Sequence, residues 1–82
     1  MMSNIRISDD FRSEMRSRIV ETFGISAIMN KLDTYNVVQG NENHLSFRVE
    51  VEIDGEIILG WGRNGNEIIE SLLVCSKSIK NQ

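Results

Sequence analysis

The feature that most constrains the fold is a stretch of strict alternation in the middle of the chain. Polar residues separate five apolar ones, which are Leu45, Phe47, Val49, Val51 and Ile53. Successive side chains of a β-strand point to opposite faces of a sheet, so this pattern predicts a strand with one buried face. The next residues, Asp54-Gly55, are a favoured two-residue hairpin turn. A second strand is therefore expected from Glu56 to Gly62, antiparallel to the first.

Both ends of the chain have helical periodicity. Near the N-terminus, apolar residues recur at every fourth position, with Val20 beside them: Phe11, Met15, Ile19 and Phe23. This spacing predicts a helix with one apolar stripe, which Ser8 can cap and Gly24 can end. At the other end, we predict a last helix that Asn66 caps. Its expected buried face consists of Ile68, Ile69, Leu72, Leu73, Cys75 and Ile79.

The segment between the first helix and the hairpin is interpreted as two short elements. Ser26 can cap a short second helix that runs to Leu32, and Gly24 favours two helices over one kinked helix. Tyr35–Gln39 is a short strand, and Gly40–Asn43 is rich in turn-forming residues. The predicted order is α(α)-β-β-β-α, an α+β fold with a three-stranded antiparallel meander and helices packed on one face. Eighty-two residues allow one such domain.

The hairpin leaves open which side of the last strand is buried. With a two-residue turn, Ile58 shares the core face with Gly60 and Gly62, and a helix can approach closely. The outer face then carries the predicted partner-binding residues: Arg48, Glu50, Glu52, Ile57, Leu59 and Trp61. The alternative is a three-residue loop with a bulge, which turns the last three of these inward. We favour the exposed stripe, because such a patch marks a dimer or partner interface.

Acidic residues concentrate in the middle third of the chain. Residues 33–62 contain one basic residue against six acidic ones, a net charge of −5, while the whole chain carries −3. This segment is either a solvated sheet face or an acidic docking surface for a basic partner. The acidic total argues against broad, non-specific nucleic-acid binding. Small acidic domains are common among phage and mobile-element inhibitors of host machinery, so we consider inhibition of a host macromolecular complex as one form of docking.

Residues for catalysis or metal binding are sparse. One Cys and one His exclude an internal disulfide and a Cys/His zinc site. His44 is expected in a polar turn, and Cys75 on the apolar face of the last helix. The glycines between Gly60 and Gly65 match no phosphate-binding loop. We therefore expect a non-enzymatic protein with no metal and no cofactor. No apolar run is long enough to cross a bilayer, so we expect a cytoplasmic protein without membrane contact.

From Tyr35 to about Ile79 the chain resembles the double-stranded-RNA-binding domain. The matching segments are Tyr35 to Val38, Gly40 to His44, Phe47 to Val51, Asp54-Gly55 and Gly60-Trp61-Gly62. The resemblance implies a sheet flanked by helices and binding to duplex RNA. In that family a pair of lysines starts the last helix, whereas here the positions hold Gly65 and Asn66, followed by Glu67. The loss of these lysines removes most of the phosphate contacts on which such binding depends.

Two functions follow from the sequence. The first is a small interaction module that binds a protein partner or a second copy of itself through the outer sheet face. The alternative is a double-stranded-RNA-binding protein that uses basic residues of its first and last helices. The candidate residues for RNA binding are Arg12, Arg16, Arg18, His44 and Arg63.

Overall fold

The structure is a computed structural model that describes residues 7–80, with side chains up to residue 77. The chain forms helix α1 (Asp9–Phe23), strands β1 (Ile28–Gln39), β2 (Glu42–Ile53) and β3 (Glu56–Gly62), and helix α2 (Gly65–Lys80). The strands make one antiparallel sheet in the order β1-β2-β3. The predicted α+β class and the three-stranded meander are confirmed.

Helix α1 begins and ends at the predicted residues. The Ser8 hydroxyl accepts a hydrogen bond from the Phe11 N–H at 3.1 Å, which satisfies one free donor of the first turn. At the other end, the N–H of Gly24 donates to the Val20 carbonyl at 2.8 Å. Gly24 has a φ of 104°, which a residue without a side chain adopts most readily.

The core lies between the inner face of the sheet and the two helices. Its buried apolar members are Met15, Ile19, Ala27, Leu32, Val49, Val51, Ile58, Ile68, Ile69 and Leu72. At its margin, the rings of Phe11 and Phe47 lie 4.7 Å apart between centroids and are tilted by 37°. Leu73 is 36% exposed, so its predicted burial is wrong. Cys75 packs partly against the core, and the Ile79 side chain lies outside the described part of the chain.

The predicted short helix from Ser26 to Leu32 is wrong. After α1 the chain makes a tight turn, in which the Ala27 N–H donates to the Gly24 carbonyl at 3.1 Å, and it enters β1 at Ile28. The strand then continues through the segment that we predicted as a separate short strand. Strand β2 likewise begins at Glu42, so the first hairpin is longer than the sequence indicated.

A β-bulge in β1 explains this error. The pairing with β2 shifts between Met29 and Lys31. As a result Met29 pairs with Val51 and Leu32 with Val49, so both face the core although they are three residues apart. A spacing of three imitates a helical repeat, and the extra residue conceals the period of two that identifies a strand.

Both hairpins close with two-residue turns. Gln39 pairs with Glu42 around Gly40-Asn41, where Gly40 has a φ of 63°. In the second hairpin, Asp54 and Gly55 have φ values of 50° and 85°. Two positive values belong to the type I′ turn, whose twist matches that of the flanking strands. The two-residue register is therefore correct, and the alternative of a three-residue loop with a bulge is excluded.

Helix α2 is capped by a different residue than we predicted. The Asn64 side chain accepts a hydrogen bond from the Glu67 N–H at 3.0 Å, and the Glu67 carboxylate accepts one from the Arg63 N–H at 2.9 Å. This exchange is close to a capping box, which needs a Glu or Gln three residues after the cap. Asn64 satisfies that spacing, whereas Asn66 has Ile69 at the third position and lies inside the helix.

Candidate interaction surface

The outer face of the sheet, opposite the helices, carries the predicted partner-binding residues in three cross-strand pairs. These pairs are Arg48 with Trp61, Glu50 with Leu59, and Glu52 with Ile57. Ile57 is 53% and Trp61 44% exposed, and Leu59 is half-buried. We call Ile57, Leu59 and Trp61 the outer-face stripe. The prediction that this stripe points away from the helices is confirmed.

Hydrogen bonding explains why the charged residues lie so close to the stripe. The Trp61 N–H donates to the Ser71 hydroxyl of α2 at 3.1 Å, so it points away from β2. Arg48 and Trp61 are therefore a non-hydrogen-bonded pair, the type that brings side chains closer together. Hydrogen-bonded and non-hydrogen-bonded pairs alternate, so Glu50 with Leu59 and Glu52 with Ile57 are non-hydrogen-bonded pairs as well. Each stripe residue thus has a charged residue of β2 as its close neighbour.

Strand β1 adds a third row to this face. The sequence predicted this strand only from Tyr35 to Gln39, because the bulge conceals its N-terminal half. Lys31 pairs with Glu50 and Asp33 with Arg48, so opposite charges face each other across the strands. Tyr35 follows, half-buried beside Ser46.

The charge of the outer face differs from one end to the other. The carboxylates of Glu50 and Glu52 lie near the Asp54-Gly55 turn, beside Leu59 and Ile57. At the opposite end, Arg48 lies beside Trp61. Glu42 and Asp33 also belong to this face, so that the acidic middle segment lies largely on it. The stripe therefore runs between an end with Glu50, Glu52 and Lys31 and an end with Arg48 and Asp33.

An open depression of about 720 Å³ lies at the Trp61 end. Its lining residues are Ile7, Arg12, Leu32, Asp33, Thr34, Tyr35, Arg48 and Trp61. Two arginines, the Asp33 carboxylate and two aromatic rings therefore border one volume, whose charged groups sum to +1. Guanidinium groups pair with carboxylates, and aromatic rings pack against apolar and aromatic side chains, so this end suits an acidic or aromatic side chain of a partner.

The arginines proposed for RNA binding lie at separate places. Arg12 lines the depression, and Arg16 is exposed four residues further along α1. The Arg18 guanidinium instead donates to the Asn66 side chain at 2.7 Å, at the start of α2. Arg63 is exposed just before that helix. The structure thus brings Arg18 and Arg63 to the same helix end but does not gather the set on one surface.

His44 also lies apart from these arginines. It belongs to the outer face of β2, whereas α1 packs on the inner face. Its Nε2 lies 3.5 Å from a carboxylate oxygen of Glu42. Among residues 7–80, no three His, Cys, Asp or Glu side chains lie close enough to hold a metal ion. Within the same residues, no helix is long and apolar enough to cross a bilayer.

A comparison of the chain with protein-family models, curated proteins and solved structures finds no match.

Proposed function

We propose that this protein is a small interaction module that binds a protein partner through the outer face of its sheet. The observation that supports this most directly is the exposure of the outer-face stripe. An antiparallel sheet with one solvated face normally carries polar residues on that face. Here one of its three strands presents Ile57, Leu59 and Trp61 instead. Contiguous apolar patches of this kind mark binding sites, and Trp is a favoured interface anchor.

The charges beside the stripe specify the chemistry of the partner. Glu50 and Glu52 favour basic side chains at one end, and Arg48 with Arg12 favours acidic or aromatic ones at the other. We infer a partner surface with an apolar strip between a basic and an acidic region. An inhibitor of a host macromolecular complex would use the same face, with its acidic end on a basic groove of the target.

A double substitution on β3 tests this proposal. Trp61→Gln with Leu59→Thr removes most of the stripe but leaves the core untouched, because both residues lie on the outer face. We expect the urea midpoint of the variant to change little, and a partner retained by the immobilised wild-type protein to be lost. Unfolding of this variant would show that the residues are structural, and unchanged retention of the partner would show that the face is not used.

Two matched variants control for folding and for general stickiness. Val74 is 63% exposed on α2, so Val74→Gln removes an exposed apolar side chain elsewhere and should leave partner binding intact. Ile58 is 2% exposed on the inner face of β3. Ile58→Thr should therefore lower the free energy of unfolding, by an amount of the order of 1–3 kcal/mol.

A further inference from the structure

The two edges of the sheet are protected differently. At the β3 edge, the Trp61 N–H donates to Ser71 and the N–H of Arg63, just beyond the strand, donates to Glu67, so side chains of α2 cover the C-terminal end of this edge. Beyond the ladder with β2, none of the hydrogen bonds found among residues 7–80 reaches the backbone of Thr34–Val38 in β1. The protein's own helix thus covers the C-terminal end of the β3 edge, whereas the Thr34–Val38 stretch of the β1 edge is open.

The register shows which backbone groups face outward at the open edge. A two-residue turn closes on a hydrogen-bonded pair, here Gln39 with Glu42, and hydrogen-bonded pairs alternate along an antiparallel ladder. The N–H and C=O groups of Val37 and Tyr35 therefore point toward β2. Those of Thr34, Asn36 and Val38 point away from the sheet.

This edge lacks the usual defences against pairing. Natural edge strands are protected by charged residues, by proline, by bulges or by short length. The segment from Thr34 to Gln39 contains no charged residue and no proline, and β1 is twelve residues long. Its bulge lies at the other end of the strand, before Lys31. Val38 is 70% exposed and Asn36 is exposed as well, so the edge is accessible to another strand.

The open depression reaches the same edge. Four consecutive residues of β1, from Leu32 to Tyr35, line it. Successive side chains of a strand point to opposite faces of the sheet, so these four residues lie on both faces. A single open volume can contact both faces only by passing around the free edge of the strand. The depression therefore continues along the side of β1 where another strand would lie.

We propose that a second copy of the chain pairs antiparallel along the β1 edge, with the twofold axis at Asn36. The three outward-facing residues are symmetric about that position. Thr34 then meets Val38 of the second copy, and Asn36 meets its own equivalent. Each such pair exchanges two backbone hydrogen bonds. Asp33, the nearest charged residue, falls opposite Gln39 of the second copy, so that no like charges meet and the segment is complementary to itself.

This dimer goes beyond the proposed function and uses the β1 edge instead of the outer-face stripe, and the depression at the Trp61 end borders both. Pairing at the β1 edge joins two sheets side by side and leaves the side chains of both outer-face stripes free. The two proposals therefore succeed or fail independently. The dimer presents the stripe twice, which suits a partner that is itself repeated or symmetric.

Charge substitutions at the twofold position test the dimer. We expect light scattering to give wild-type protein twice the 9.4 kDa mass of the chain. Asn36→Lys and Asn36→Asp each place two like charges directly opposite one another, and each should weaken self-association by about fivefold or more. An equimolar mixture of the two variants should recover the dimer, because a lysine then faces an aspartate.

A control variant separates this effect from a general change in charge. Asn43 is exposed and pairs with Val38, but it lies on the central strand β2. Asn43→Lys should therefore leave the dimer intact. The edge proposal is overturned if wild-type protein has the mass of one chain at its highest soluble concentration, or if the mixture fails to associate. It is also overturned if Trp61→Gln with Leu59→Thr abolishes the dimer while Asn36→Lys does not.

Discussion

At the scale of single residues, two glycines of β3 determine how closely α2 approaches the sheet. A Cβ atom at Gly60 would lie 2.7 Å from the Leu72 Cγ and 3.0 Å from the Ile68 carbonyl oxygen. At Gly62 it would lie 2.5 Å from the Glu67 Cβ and 2.7 Å from the Ile68 nitrogen. At both positions an added Cβ atom would therefore lie closer to α2 than normal van der Waals contact allows. The close approach of a helix that the alternation of β3 predicted is confirmed.

These contacts predict which of the two glycine substitutions lowers the free energy of unfolding more. Gly60→Ala should lower the free energy of unfolding by about 1–3 kcal/mol, because it overpacks the interface with α2. Gly62→Ala should cost more, since it meets the backbone of α2, whereas the Leu72 side chain can shift. Urea unfolding measures both. In a Leu72→Ala background the cost of Gly60→Ala should shrink, and an unchanged cost there would contradict the proposed contact.

At the scale of secondary-structure elements, the start of α2 shows how two similar residues differ in role. Asn64 and Asn66 are both good capping residues by type, but only Asn64 accepts a hydrogen bond from the first turn of the helix. Asn66 accepts one from Arg18 of α1 at the surface. The cap thus depends on a Glu three residues later, whose carboxylate accepts from the neighbouring Arg63 N–H, and not on residue type alone.

Alanine substitutions distinguish the two asparagines. Asn64→Ala should lower the free energy of unfolding by about 1 kcal/mol, the usual cost of losing an N-cap. Asn66→Ala should cost less than about 0.5 kcal/mol, because it removes an exposed side-chain contact from a helix interior and alanine favours helix. Chemical denaturation followed by circular dichroism measures both. A larger cost for Asn66→Ala would place the cap where the sequence predicted it.

At the scale of the whole molecule, the sheet separates the charged groups. His44 and most of the acidic middle segment lie on the outer face, while α1 with Arg12 and Arg16 packs on the inner face. Duplex RNA is recognised through phosphates along a continuous surface, and each phosphate contact adds to the salt dependence of binding. The scattered arginines therefore favour protein binding over the RNA alternative.

A salt titration with duplex RNA distinguishes these functions. We expect no saturable binding in a filter-binding assay even at low salt, because the basic residues do not form one surface. The matched variant Arg12→Gln with Arg16→Gln should behave like wild type in the same assay. Saturable binding whose logarithm falls steeply with the logarithm of salt concentration, and which this variant weakens, would instead support the RNA alternative.

The hairpin was predictable because its signals are local. The alternation from Leu45 to Ile53 and the Asp54-Gly55 turn together give the register, and the register places Trp61 on the outer face. The same holds for the Ser8 cap and the Gly24 end of α1. In each case the interacting residues lie within a few positions of each other in the sequence, so the prediction needed no knowledge of distant contacts.

The N-terminal half of strand β1 depended on contacts that are distant in sequence. The cap of α2, by contrast, could have been predicted from local spacing, since Glu67 lies three residues after Asn64. Asn30 lies at the bulge because Met29 and Leu32 both pair with core residues of β2. No neighbouring residue in the sequence shows that their spacing of three belongs to a strand and not to a helix. The open β1 edge likewise depends on the position of α2, whose side chains bind the end of β3. The order of elements and the exposed stripe could be read from short-range patterns of polarity. The N-terminal half of β1 and the difference between the two edges arose from packing, which short-range patterns do not encode.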